Sequence, residues 1–169
     1  MKIFTFITLL FINCFVVAQT PLENASENEL LDKLVPRAPM TRGLGRNLVP
    51  EQQAEKKPIS VDLVIAFEFD SAKLRAESLP LLNNLAKVME NEQLKQSTFN
   101  IEGHTDSVGN PSYNLKLSKN RALSVVNYLT NQGVDKKRLV AIGKGGADPL
   151  NMSDPQAPEN RRVKVVLNQ

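Results

Sequence analysis

Residues 98–133 read TFNIEGHTDSVGNPSYNLKLSKNRALSVVNYLTNQG and contain three consecutive structural signals. Phe99 and Ile101 alternate with polar residues, a pattern typical of a strand that has one face on a core. A polar loop follows over residues 105–112. Apolar residues then recur at helical spacing over 112–132, so the sequence predicts a strand, a loop and a long helix in succession.

The predicted long helix has clear start and stop signals. Asn110 or Ser112 is a suitable N-cap, and Gly133 lies just beyond the last residue of the helical pattern. Four apolar residues are expected to form its core-facing side: Leu115, Ala122, Val126 and Leu129.

Further elements are predicted on both sides of this stretch. Residues 61–69 alternate with period two, which predicts a strand. Residues 78–91 form an amphipathic pattern with a proline in the first turn, which predicts a helix. Residues 139–144 and 162–167 supply two more short strands, and Arg162 is expected to point away from the core. The residues of the first strand expected to face the core are Val61, Leu63, Ile65, Phe67 and Phe69.

This order, βαβαββ, predicts an α/β two-layer sandwich. Helical crossovers imply a mixed sheet with some parallel strands and both helices packed on one face. In open α/β sheets, ligands bind where strands end and helices begin. A binding site is therefore expected at the 69–71 turn and the 104–114 loop.

The first eighteen residues have the pattern of a signal peptide. Lys2 is followed by an apolar run over residues 3–17 and by the small residue Ala18. The run is shorter than the roughly 20 residues that a membrane-spanning helix needs. Cleavage after Ala18 would remove the single cysteine and leave no thiol chemistry. Acylation of Cys14, as in exported lipoproteins, is the alternative interpretation.

Residues 19–57 have the composition of a flexible linker or a loosely docked arm. They contain four prolines, many charges and no aromatic residue, so they cannot bury a core alone. Leu30, Leu31 and Leu34 have helical spacing, which allows a short helix over residues 27–34. The globular domain is predicted to occupy residues 58–169.

Composition argues against several function classes. The net charge is +3 with the two signs interspersed, so nucleic-acid binding is not indicated. One histidine and one cysteine give no support to a metal site, and no cofactor motif is present. No Gly-x-Ser-x-Gly motif accompanies the histidine. The enzyme alternative is a cell-wall hydrolase that uses Glu102, His104 and Asp106.

A charged pair suggests a more specific site. Asn114, Ser118 and Arg121 share one face of the predicted helix, and Asp106 lies in the loop before it. A carboxylate and a guanidinium placed in this way can bracket a zwitterion, with Asp106 binding an ammonium and Arg121 a carboxylate. The spacing is equally consistent with Asp106 capping the loop and Arg121 forming a surface ion pair.

Three motifs stand out: a central one over residues 103–129, a preceding one over 67–71 and a closing one over 160–163. Together they resemble the OmpA-like C-terminal domain, in which 67–71 would be the end of the first strand and its turn. The resemblance spans about 110 residues and leaves residues 1–57 uncovered. The central motif consists of Gly103, His104, Thr105, Asp106, Gly109, Asn114, Leu117, Ser118, Arg121, Ala122, Val125 and Leu129.

The resemblance implies non-covalent binding of peptidoglycan through the diaminopimelate residue of its stem peptide. Asp106 and Arg121 would bind the two charged groups of that amino acid. Asn114 would contact the ligand or organise the loop. Asp70, Thr105 and Arg161 would line the same pocket.

The resemblance also implies roles for residues around the pocket. Leu117, Ala122 and Val125 would pack in the core, and Gly103 and Gly109 would permit special backbone shapes. Ser118 would either touch the ligand or bond to the backbone.

The resemblance places the protein in the periplasm, associated with the outer membrane or the cell wall. Relatives carry this domain after a membrane barrel, a lipid anchor or a membrane helix, and none of these is evident here. An adaptor whose residues 19–57 dock to an outer-membrane protein is therefore a further alternative.

Overall fold

The computed structural model describes residues 21–36 and 58–168. The predicted signal peptide, Cys14, Ala18 and residues 37–57 lie outside these ranges. The helices and strands are α1 (Glu27–Leu34), β1 (Ser60–Leu63), α2 (Leu79–Met89), β2 (Thr98–His104), α3 (Pro111–Asn131), β3 (Leu139–Gly145) and β4 (Val163–Asn168).

The four strands form one mixed sheet in the order β1-β4-β2-β3. β4 pairs antiparallel with β1 and with β2, while β2 and β3 are parallel. Parallel neighbours need a long crossover, which α3 supplies. This arrangement confirms the predicted α/β fold with a mixed sheet.

One hydrophobic core joins the sheet to the helices, and α2 and α3 also contact each other. No helix in the described part of the chain is long and apolar enough to span a membrane. The largest side chains that are fully buried include Phe99, Leu30, Leu34, Leu63, Leu82, Leu85, Met89, Leu94, Ile101 and Leu129.

The first part of the predicted arm packs against the domain. α1 forms at the predicted position and buries Leu30 and Leu34 completely. Leu22 lies beside β1, where its N–H donates to the Asp62 carbonyl and its carbonyl accepts from the Val64 N–H, each at 2.8 Å. These contacts add α1 to the hydrophobic core of the domain.

The first strand is shorter than predicted, and Phe69 does not face the core. β1 ends at Leu63, and the chain then reverses in a turn that is closed by a bridge between Phe67 and Leu74. Asp70 in this turn has a φ of 48°, a left-handed conformation that Asp tolerates better than most residues. The reversal breaks the alternation, and the side chain of Phe69 is 99% exposed.

Arg162 was expected to point away from the core with Arg161 or an acidic residue as a possible partner, and the structure shows that it is buried on that side of the sheet. Arg162 and Asp62 are both buried, and the Arg162 Nε lies 2.5 Å from Asp62 Oδ1. Asp62 alternates along β1 with Val61 and Leu63, which belong to the hydrophobic core, so the ion pair lies on the opposite face of the sheet. The Arg162 guanidinium also donates to the carbonyl of Asp148.

The position of α3 explains two other differences from the sequence predictions. A Cβ on Gly143 would lie 2.7 Å from the Leu115 carbonyl oxygen, so α3 presents its backbone to β3 at this point. Leu115 is accordingly 52% exposed instead of core-facing. A Cβ on Gly103 would lie 2.2 Å from the Ser118 carbonyl oxygen, so Gly103 serves close helix packing rather than a special backbone shape.

Candidate functional site

The loop between β2 and α3 is held at several points. Asn110 is the N-cap of α3 and its side chain accepts from the N–H groups of Ser112 and Tyr113, at 2.9 and 3.2 Å. Gly109 has a φ of 91°, a conformation that favours glycine. The Asn114 amide donates to the Val108 carbonyl at 2.8 Å, which ties the loop to the first turn of the helix.

A groove of about 710 Å³ lies between this loop, α3 and the turn after β1. The structure brings all six predicted site residues to its walls, although they come from three separate parts of the chain. These residues are Asp70, Thr105, Asp106, Asn114, Arg121 and Arg161.

The Asp106 carboxylate is fixed by two contacts. Oδ1 accepts from the Val108 N–H at 3.1 Å, so Asp106 does cap the loop. Oδ2 lies 3.0 Å from Nη1 of Arg161, and the side chain of Asp106 is only 16% exposed. The groove therefore has an oriented negative group on its loop side.

Arg121 supplies a positive group to the groove. Its Nε donates to the Ser71 carbonyl at 3.0 Å, and its guanidinium carbon lies 5.0 Å from the centre of the Phe67 ring. Among the described residues, no carboxylate lies within ion-pair distance of it. Burial lowers the pKa of Arg121, and the positive charge of Arg161 lowers it further. This side chain is well suited to bind an anion.

Ser118 and Thr105, two polar residues near the groove, are both buried. Ser118 is fully buried, donates to the Leu115 carbonyl at 2.8 Å and accepts from the Gly145 N–H at 2.9 Å. Of the two roles expected for Ser118, backbone bonding is the one that the structure shows. Thr105 is also buried, and its hydroxyl has no hydrogen-bond partner among the described residues.

Sequence reasoning missed three aromatic residues of the groove as site residues: Phe67 beneath Arg121, Phe69 and Tyr113. The Tyr113 hydroxyl donates to Asp70 Oδ1 at 2.5 Å, which links the turn to α3. This hydrogen bond raises the pKa of Tyr113. The position of Tyr113, beside Asn114 in the first turn of the helix, is the sequence signal that could have identified it.

The three residues of the hydrolase alternative lie in different surroundings. His104 is buried, and burial together with the positive charge of Arg162 lowers its pKa to about 4. Its Nε2 is 3.9 Å from a Glu102 carboxylate oxygen, and Glu102 also faces Lys144 at 3.4 Å. Of the three residues, Asp106 is the one that lines the groove.

His104 lines a smaller chamber of about 250 Å³ that shares Phe67, Arg121 and Arg161 with the groove. Both ring nitrogens lack hydrogen-bond partners among residues 21–36 and 58–168. Within the same ranges, no group of three or more His, Cys, Asp or Glu residues is arranged to hold a metal ion.

Comparison with known proteins identifies the family. A model of the OmpA family matches residues 66–163. The chain belongs to the OmpA family. This match contains all six predicted site residues, and it confirms the resemblance that the sequence motifs indicated.

Individual relatives in the OmpA family support this assignment. Outer membrane protein A of Bordetella avium is 33% identical over 124 residues, 69% of this chain and 63% of that protein. The peptidoglycan-associated lipoprotein of Brucella melitensis biotype 1 is 30% identical over 128 residues, 75% of each chain. The chain thus spans less than two thirds of the Bordetella avium protein.

A solved structure agrees with the OmpA-family fold. The crystal structure of the peptidoglycan-associated lipoprotein from Burkholderia pseudomallei has a TM-score of 0.54 and 29% identity to this chain. The similarity covers 66% of this chain and 91% of that chain.

Proposed function

We propose that this OmpA-family chain is exported and binds peptidoglycan non-covalently in the cell envelope, without catalysing a reaction. Its relative in Brucella melitensis is named a peptidoglycan-associated lipoprotein, and its relative in Bordetella avium an outer membrane protein. These names support a location in the periplasm, at the outer membrane or the cell wall.

The ligand group is the diaminopimelate residue of the stem peptide. Its side chain ends in an ammonium and a carboxylate on one carbon, which is the zwitterion that opposite charges on two walls of a groove would bind. Asp106 binds the ammonium, and Arg121 binds the carboxylate with both terminal nitrogens. The observation that carries this proposal is the position of Arg121, partly buried on the groove wall with no carboxylate of the described residues within ion-pair distance.

The other predicted residues have supporting roles in this proposal. Asn114 organises the loop that carries Asp106, and Thr105 supports the wall of the groove from a buried position. Asp70 is anchored by Tyr113 at the groove edge. Arg161 holds Asp106 in the ligand-free structure and shares it with the ligand ammonium in the complex.

Residues 58–169 form the binding domain in this proposal, preceded by a signal peptide over 1–18 and an arm over 19–57. The position at which the signal peptide is processed determines whether the protein is attached to a membrane. Cleavage after Ala18 releases a periplasmic protein, and acylation of Cys14 anchors it to a membrane. Mass spectrometry of the purified mature protein distinguishes these two products.

Retention on isolated diaminopimelate-type sacculi tests the proposal. We expect the wild type to sediment with sacculi and an Asp106→Asn, Arg121→Gln double variant to remain largely in solution. Loss of partners in a desolvated charged site costs on the order of 2–5 kcal/mol, which is large enough to detect. Equal retention of the two proteins would contradict the site, and release of soluble wall fragments would indicate a hydrolase.

A further inference from the structure

We infer that Phe69 and the recess beside it form a second subsite, which binds a sugar ring of the peptidoglycan glycan strand. This inference rests on the proposed function, because it extends the same groove. It concerns a residue that lies outside the six predicted site residues.

A hydrogen-bonded turn fixes Phe69 in a solvent-exposed position. Its side chain is 99% exposed at the tip of the reversal after β1. The Glu68 N–H donates to the Lys73 carbonyl at 2.9 Å, which closes the turn. Arg121 bonds to the Ser71 carbonyl from the groove side. A phenyl ring fixed at the rim of a groove offers an aromatic face on which a ligand ring can stack.

The recess beyond Phe69 continues the groove. It has a volume of about 510 Å³, and three of its lining residues, Glu68, Phe69 and Arg75, also line the groove itself. A ligand held by Asp106 and Arg121 can therefore extend past Phe69 into the recess. In peptidoglycan, the amino sugar that carries the stem peptide is covalently joined to it only a few residues away from diaminopimelate.

Three of the six residues that line the recess are charged and three are apolar, a mixture that fits the two kinds of surface on a sugar ring. Glu68, Arg75 and Glu77 supply charged, planar groups, and Arg75 lies 3.4 Å from Glu77. A pyranose ring has a face of C–H bonds that can stack on an aromatic ring and a rim of hydroxyl groups that bond to such planar groups. A ligand bound only through apolar contacts would leave the three charged side chains of the recess unused.

Two soluble ligands distinguish binding at this subsite from binding at the diaminopimelate site. Titration calorimetry on the full chain compares L-alanyl-γ-D-glutamyl-diaminopimelate with its N-acetylmuramoyl derivative. We expect the wild type to bind the muramoyl peptide about tenfold more tightly, which is the gain expected from one aromatic stacking contact. Phe69→Ala should remove this gain and leave the affinity for the free peptide within about twofold, while Phe69→Trp should retain it.

Leu123→Ala is the matched control, because Leu123 is an exposed apolar residue outside both the groove and the recess. It should leave both affinities unchanged. Equal wild-type affinities for the two ligands would overturn the sugar subsite alone. An equal loss of both in Phe69→Ala would assign Phe69 to the peptide, and a Phe69-dependent dimer in sedimentation would assign it to a second copy. A wild type that binds neither ligand would overturn the proposed function as well.

Discussion

Asp62 and Arg162 form an ion pair inside the domain, with side-chain exposures of 4% and 3%. Removal of one partner leaves the other charge buried and unpaired, and this usually costs about 3–5 kcal/mol. We expect Asp62→Ala to lower the free energy of unfolding by an amount of this size in urea denaturation.

The neighbouring residue Arg161 is the control for this prediction. Its side chain is 49% exposed in its pair with Asp106, so Arg161→Ala should change stability by less than about 1 kcal/mol. If Asp62→Ala were as mild as Arg161→Ala, the buried pair would not have the assigned role.

His104 gives the protein a predictable pH dependence. Its pKa of about 4 in the folded state lies below the ordinary value of 6.5, because burial disfavours the charged ring. Between these two values the unfolded chain binds the proton and the folded chain does not. The contribution of His104 to stability is therefore complete above pH 6.5 and is lost as the pH falls toward 4, by at most about 3 kcal/mol.

Nuclear magnetic resonance can follow this titration directly, because His104 is the single histidine of the sequence. We expect the Hε1 resonance of the folded protein to have a titration midpoint near pH 4. A midpoint near 6.5 with the fold intact would show that the imidazole is solvated.

At the scale of elements, the close contact of α3 with β2 depends on Gly103. We expect Gly103→Ala to be strongly destabilising, because its Cβ would overlap the Ser118 backbone and force the helix away from the strand. Overpacking of this kind costs about 1–3 kcal/mol or more. Thermal unfolding measures the effect.

Gly109→Ala is the matched comparison. Space is available there, and only the positive φ opposes a side chain, at a cost of about 1–2 kcal/mol. A larger loss at Gly109 than at Gly103 would contradict the described helix contact.

The docking of α1 makes a second prediction at this scale. Leu30 is completely buried between α1 and the domain. Leu30→Ala should lower the free energy of unfolding by about 2–5 kcal/mol, whereas the exposed Lys33→Ala should have little effect. Chemical denaturation of the two variants distinguishes a docked helix from a free arm, for which both changes would be mild.

Across the whole molecule, features set by residues close in sequence could be predicted, whereas features set by contacts between distant residues could not. The loop and helix that carry Asp106 and Arg121 are adjacent in sequence, so their spacing was informative about a shared groove. The burial of Arg162 was not predicted because its partner Asp62 lies 100 positions away, and no local period reports such a pair. Phe69 was misplaced because the left-handed turn at Asp70 interrupts a regular alternation.

A comparison of meso-diaminopimelate with L-lysine tests whether Asp106 and Arg121 together bind a zwitterion. The two amino acids share the side-chain amine, but lysine lacks the second carboxylate that Arg121 is proposed to bind. In titration calorimetry, we expect the wild type to bind diaminopimelate at least about tenfold more tightly than lysine, since a charged hydrogen bond is worth about 1.5–3 kcal/mol. Arg121→Gln should abolish this preference, and Asp106→Asn should weaken binding of both ligands. Equal wild-type affinities, or a preference that survives Arg121→Gln, would contradict the account.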